Sequence, residues 1–108
     1  MKKGEPMALK KRYLKSRPVC KVTFQLPKKM VQGARHVHLV GEFNQWNILA
    51  NPMQRLKDGR FTLTLDLAPD RAYQFRYLID QVRWENDDQA DKYVATPFGD
   101  CDNSVVIV

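Results

Sequence analysis

Two tryptophans stand in segments that already have their core residues. Trp46 closes the run GEFNQW, just past a strand-like stretch whose inward positions are Val37, Leu39 and Phe43. Trp84 closes DQVRW, just past a stretch carrying Tyr73, Phe75, Tyr77 and Ile79 inward. Phe98 lies in a third loop-like segment, PFGDCDNS. Loops run over the surface, so an aromatic ring there either anchors its own loop or offers a flat platform to a ligand or partner. Polar groups able to orient a ligand accompany them: Arg76 on an outward strand position, and Asn103 just before the closing SVVIV run. Each also has a plain structural reading. Arg76 could pair with Asp66 or another outward carboxylate, and Asn103 could bond its own backbone in a turn.

Pyranose rings present an apolar face of axial C–H groups and a rim of equatorial hydroxyls. An indole matches the face, and Asn or Arg side chains match the rim. Two aromatics set at an angle suit a curved glucan better than a flat one. Other chemistry is weakly supported. His36 and His38 share one strand face, but no third metal ligand accompanies them and a structural zinc site takes four; they are expected as solvated or sheet-packing residues. Asp87, Asp88 and Asp91 form an acidic loop, yet glycosidase carboxylates need a cleft holding them about 5–10 Å apart, which a domain of this size lacks. No nucleophile with a neighbouring base, phosphate loop or cofactor fingerprint occurs. The expectation is a non-enzyme without cofactor or metal.

The elements that must position these residues are strands. In KVTFQL, Val22, Phe24 and Leu26 alternate with polar residues, and RFTLTLDL and AYQFRYLID repeat the period of two. A short piece around Arg83–Glu85 and SVVIV follow. Between the runs stand breakers, including Pro27 with Gly33, Asn51-Pro52, Pro69-Asp70 and a hairpin signal at Asp58-Gly59, where glycine accepts positive φ. Short strands at close spacing without a convincing helix predict an all-β, immunoglobulin-like sandwich of two antiparallel sheets. At 108 residues the chain has room for one domain.

The net charge of +6 is unevenly placed. Lys2, Lys3, Lys10, Lys11, Arg12, Lys15 and Arg17 face one acid, Glu5, within residues 1–17. Removing these from the 18 basic and 12 acidic residues leaves eleven of each over 18–108. Residues 1–17 therefore read as a basic, flexible tail, in which Ala8–Lys15 permits a short helix with only Leu9, Tyr13 and Leu14 to bury. The tail could attract phosphates or an acidic partner protein, but the neutral domain lacks a basic stripe with interleaved aromatics, so nucleic acid is not the expected partner. No run of about 18 apolar residues exists to span a membrane. No apolar segment follows the N-terminal charges as in a secretory signal. Cys20 and Cys101 are far apart and read as cytoplasmic thiols rather than a bridge.

The runs GEFNQW, PMQRLKDGRFTLTLDL, YQFRYLIDQVRWENDDQAD and FGDCDNSVVIV, in that order, resemble carbohydrate-binding module family 48. This is the glycogen-binding, isoamylase early-set domain of branching and debranching enzymes and of the AMP-activated protein kinase beta subunit. The resemblance covers about Val19–Val108, and the chain is more similar still to stand-alone bacterial early-set proteins. It implies a non-catalytic module that recognises α-glucan such as glycogen, starch or maltooligosaccharides. Its site residues fall on Trp46, Arg76, Trp84, Phe98 and Asn103, with Arg76 in place of a lysine and Phe98 in place of a leucine. The turn Asp80-Gln81-Val82-Arg83 is one residue longer than the family's and lacks its glycine, and Cys101-Asp102 lengthens the loop before Asn103. The alternative is a module of the same fold that docks a glycogen-metabolising enzyme or another partner without binding sugar.

Overall fold

Strict alternation in two central strands organises the molecule. The computed structural model describes residues 9–96 and 101–108. Its strands are β1 (Leu9–Tyr13), β2 (Cys20–Leu26), β3 (Val37–Gly41), β4 (Gln54–Arg55), β5 (Phe61–Leu67), β6 (Ala72–Ile79), β7 (Arg83–Glu85), β8 (Lys92–Ala95) and β9 (Asp102–Ile107). One sheet has the order β1-β2-β5-β4, and the other β3-β6-β9-β8 with β7 also paired to β6. All pairings are antiparallel. Val22, Phe24 and Leu26 of β2 meet Phe75, Tyr77 and Ile79 of β6 across one buried core. The fold is an immunoglobulin-like β-sandwich, as the alternating runs require.

Several connections follow the turn chemistry of the sequence. Gly59 takes φ 98°, and the Asp58 carboxylate accepts from the Arg60 backbone N–H at 3.1 Å, closing the β4–β5 hairpin. Cys20 is buried and Cys101 exposed, and both are free thiols. Among the described residues no helix is long and apolar enough to cross a membrane.

Leu9–Tyr13, expected within a flexible tail with helical potential, forms an edge strand instead. Its residues pair with β2 from Leu9↔Phe24 to Tyr13↔Cys20. Leu9 packs against the core, and Lys11 reaches Asp91 at 2.7 Å beside the other sheet. The ladder with β2 and the packing of Leu9 outweigh a helix that would bury almost nothing.

The acidic loop is structural in part. Asp87 is fully buried and accepts from the Tyr77 hydroxyl at 2.7 Å and the Gln89 backbone N–H at 2.7 Å. Its own N–H donates to Ser104 Oγ at 2.9 Å, while the Tyr93 hydroxyl donates to its carbonyl at 2.5 Å. Burial raises the Asp87 carboxyl above the ordinary value of 3.8 despite those donors. Burial first, then the Asp87 charge, pushes the Tyr77 phenol well above its usual range. A carboxyl with a raised folded pKa contributes most when protonated, and that contribution declines as pH rises from 3.8 through its folded value. Tyr77→Phe should therefore cost about 1–3 kcal/mol. The loss should be larger at pH 7, where Asp87 needs the donor as an anion, than at pH 4; urea midpoints at the two values check this.

Candidate functional site

The GEFNQW run is a device for turning one ring inward and the next outward. Phe43 enters the core, 5.6 Å from the Phe24 ring and 6.3 Å from Phe75. It fits because Gly41 has no side chain: a Cβ there would lie 2.5 Å from the Gln74 carbonyl and 2.9 Å from Phe43 Cζ. Asn44 then ties the turn. Its Oδ1 accepts from the Gly41 N–H at 3.1 Å, and its Nδ2 donates to the Leu39 carbonyl and to Asn51 Oδ1. Gln45 and Trp46 follow at φ 56° and 58°, a left-handed pair that non-glycine residues adopt only when their surroundings impose it. The Trp46 N–H donates to the Gly41 carbonyl at 2.8 Å, and the indole emerges 37% exposed.

Trp84 arrives by another route. Asp80 and Gln81 both have positive φ, at 52° and 60°, so the turn is made without glycine. The register then places Trp84 opposite Leu78, on the outer face of the second sheet. Asp80 pins the turn by accepting from the Arg35 and His36 backbone N–H groups at 2.8 and 2.9 Å. Gln81 donates to His38 Nδ1 at 3.0 Å and to the Ile48 carbonyl at 3.4 Å, joining the Trp84 hairpin to the Trp46 loop. An amide nitrogen only donates, so Nδ1 accepts and the His38 proton sits on Nε2. Desolvation, then the neighbouring His36, lowers the His38 pKa in keeping with a neutral ring. His38 thus serves the sheet, and among the described residues no group of three His, Cys, Asp or Glu side chains could hold a metal.

Arg76 stands where β6 changes neighbours. Upstream it pairs with β9, ending at Phe75↔Ser104; downstream it pairs with β7, starting at Tyr77↔Glu85. The gap is bridged by Asn86, which donates to the Asp102 carbonyl and accepts from the Ser104 N–H. Arg76 Nε donates to Asn103 Oδ1 at 2.7 Å, and Asn103 Nδ2 donates to Gln74 Oε1 at 2.9 Å. Arg76 does not pair with Asp66, which lies in the other sheet and is held by Lys21 and Arg17. Asn103 is a strand residue of β9 rather than a turn residue. Beneath this polar row lie Val40, Leu78 and Val105, buried at 0%, 3% and 2% although they face away from the inter-sheet core.

Trp84, Arg76 and Asn103 thus share one sheet face, with the Trp46 loop tied to its rim; Phe98 lies outside the described residues. Gln74 and Gln81 were not singled out in the sequence. Gln74 alternates with Phe75 and Arg76 on a strand already identified, so its outward placement was readable, whereas the long-range bonds of Gln81 left no local signal. Among the described residues the Arg76 Nη atoms and both indole N–H groups find no acceptor. The face therefore combines apolar rings with unspent donors.

The sequence matches carbohydrate-binding module 48, the isoamylase N-terminal domain, over residues 31–99. The chain belongs to this family. Its members are carbohydrate-binding, non-catalytic modules. The match takes in Trp46, Arg76, Trp84 and Phe98, while Asn103 and the strands β1, β2 and β9 lie beyond it. No curated protein matches the chain.

Asp80 gives this face a measurable acid sensitivity. The His36 N–H, then the Arg35 N–H, holds its carboxyl below the ordinary 3.8. A depressed folded pKa contributes stability that is present above 3.8 and lost as pH falls through the folded value. Asp80→Asn keeps an acceptor and tolerates positive φ but cannot titrate. It should lower the urea midpoint at pH 7, with the difference from wild type shrinking steadily below pH 3.8.

Proposed function

We propose that this module binds α-glucan, with Trp46 and Trp84 stacking on glucose faces and Arg76 donating to the hydroxyl rim. The observation that carries this reading is the outer face of β6, where the half-exposed Trp84 accompanies an arginine whose terminal nitrogens have no acceptor among the described residues, and where Gln81 ties the loop of the half-exposed Trp46 to the rim. Asn103 spends its Oδ1 on Arg76 and one N–H on Gln74, so it orients the guanidinium and offers its second N–H to sugar. Phe98 is proposed to shape the end of the same site. The natural ligands are glycogen, starch or maltooligosaccharides, and the module's use is to attach to a glucan store or bring a separate glycogen-metabolising enzyme to it. Two free thiols support a reducing, cytoplasmic setting. An open face buries little of each sugar, so binding is weak.

A second reading rests on Leu49 and Val82, exposed at 67% and 83% beside the tryptophan segments. Apolar side chains in that position would also suit a docked protein. One calorimetric experiment separates the two. Wild type should bind maltoheptaose saturably, and Trp46→Ala or Trp84→Ala should each weaken it about tenfold or more, roughly 1.4 kcal/mol. The folds of the variants are checked by circular dichroism. No heat and no retention on glycogen for the wild type would leave the docking reading in its place.

A further inference from the structure

We propose that the free edge and outer face of the first sheet bind an acidic, extended protein segment, which adds as a strand beside β1. This surface is built from the sheet opposite the glucan face, and the inference does not depend on sugar binding. β1 is a terminal strand of its sheet, so alternate backbone N–H and C=O groups point away from β2. Leu9 and Lys11 face inward, to the core and to Asp91. Lys10 and Arg12 consequently face out, opposite Thr23 and Lys21.

Charge on this face is one-sided. Arg12 stands directly opposite Lys21, a cross-strand like-charge pair that costs stability. Among the described residues Asp66 answers Lys21, at 2.8 Å, and Arg17, at 3.5 Å. Among the described residues Lys10 and Arg12 have no carboxylate partner, and both are exposed. A second copy of β1 would set cations against cations along the shared edge. An acidic strand reverses that sign and would relieve the Arg12–Lys21 repulsion. The rest of the outer face, Thr23, Gln25, Thr62 and Thr64, carries neither the exposed apolar groups a membrane would take nor aromatics for stacking bases, and the one exposed ring of β1, Tyr13, alternates onto the other side with Leu9 and Lys11. An extended peptide with alternate carboxylates fits both the edge hydrogen bonds and the charge.

The test is a titration of the ¹⁵N-labelled full chain with a peptide of alternating glutamate and valine. Amides of Leu9–Tyr13 should shift and exchange more slowly with solvent, and affinity should fall when salt rises from about 20 to 200 mM. The double variant Lys10→Glu with Arg12→Glu should weaken binding about tenfold, and Lys10→Gln with Arg12→Gln should weaken it less, both with dispersed spectra. Peptide shifts elsewhere than β1, or undiminished affinity in both variants, would overturn the proposal. Tighter binding of oligothymidylate or phosphatidylserine vesicles to these same residues would also overturn it, replacing the acidic strand with another polyanion.

Discussion

Phe43 closing over Gly41 is the contact on which the geometry of the candidate face depends. The ring completes an aromatic cluster with Phe24, Tyr73 and Phe75, at centroid separations of 5.6 to 6.3 Å. Reaching it requires the chain to leave β3 against the backbone of β6, so closely that any Cβ on Gly41 would collide with the Gln74 carbonyl. The left-handed geometry of Gln45 and Trp46 is then imposed from both sides. Phe43 is fixed in the core, and Asn44 bonds three partners around the turn. The packing of Phe43 against the core thus helps hold the turn that leaves its neighbour Trp46 half-exposed.

The strand β6 couples core and site more directly, because its two faces serve opposite ends. Tyr73, Phe75, Tyr77 and Ile79 hold the sandwich together, while Gln74 and Arg76 face outward with Trp84, over the buried Leu78. A one-residue slip would exchange the two sets and bury an arginine. Two anchors secure the register from the strand's ends. Glu42 Oε1 accepts from the Gln74 N–H at 2.8 Å, and Asp80 binds the Arg35 and His36 N–H groups. The buried Asp87–Tyr77 pair adds a third point midway, since no other register brings the phenol to that carboxylate.

The parts of this arrangement that were legible in the sequence are those governed by local period and turn chemistry. β2, β5 and β6 alternate cleanly, and Gly59 marks its hairpin. β1 was not legible, because LKKRY has only Leu9 packed against the core and its Lys11 bonds Asp91, eighty residues away. β4 is two residues long, and β8 carries only half-buried or exposed side chains, so neither leaves a pattern. At the site, Trp46 and Trp84 were readable as aromatics in excess of core need. The bonds of Arg76 and Gln81 were not, since each joins segments 27 to 43 residues apart.

Val40, Leu78 and Val105 explain why the candidate face is both open and ordered. These side chains point away from the main core, yet they are almost fully covered. An outer sheet face left to water would ordinarily carry polar residues at those positions. Their burial means that the surrounding side chains and loops lie down on the sheet rather than standing free. Long side chains such as Arg76 and Gln74 lose conformational entropy when a ligand immobilises them. Here the chain of bonds through Asn103 has already fixed the Arg76 Nε and the Gln74 Oε1 in the free protein. The ordering cost is met during folding by an apolar floor and by mutual hydrogen bonds. A ligand at this candidate face would meet polar groups already placed, so the proposed recognition would not need to order them on binding.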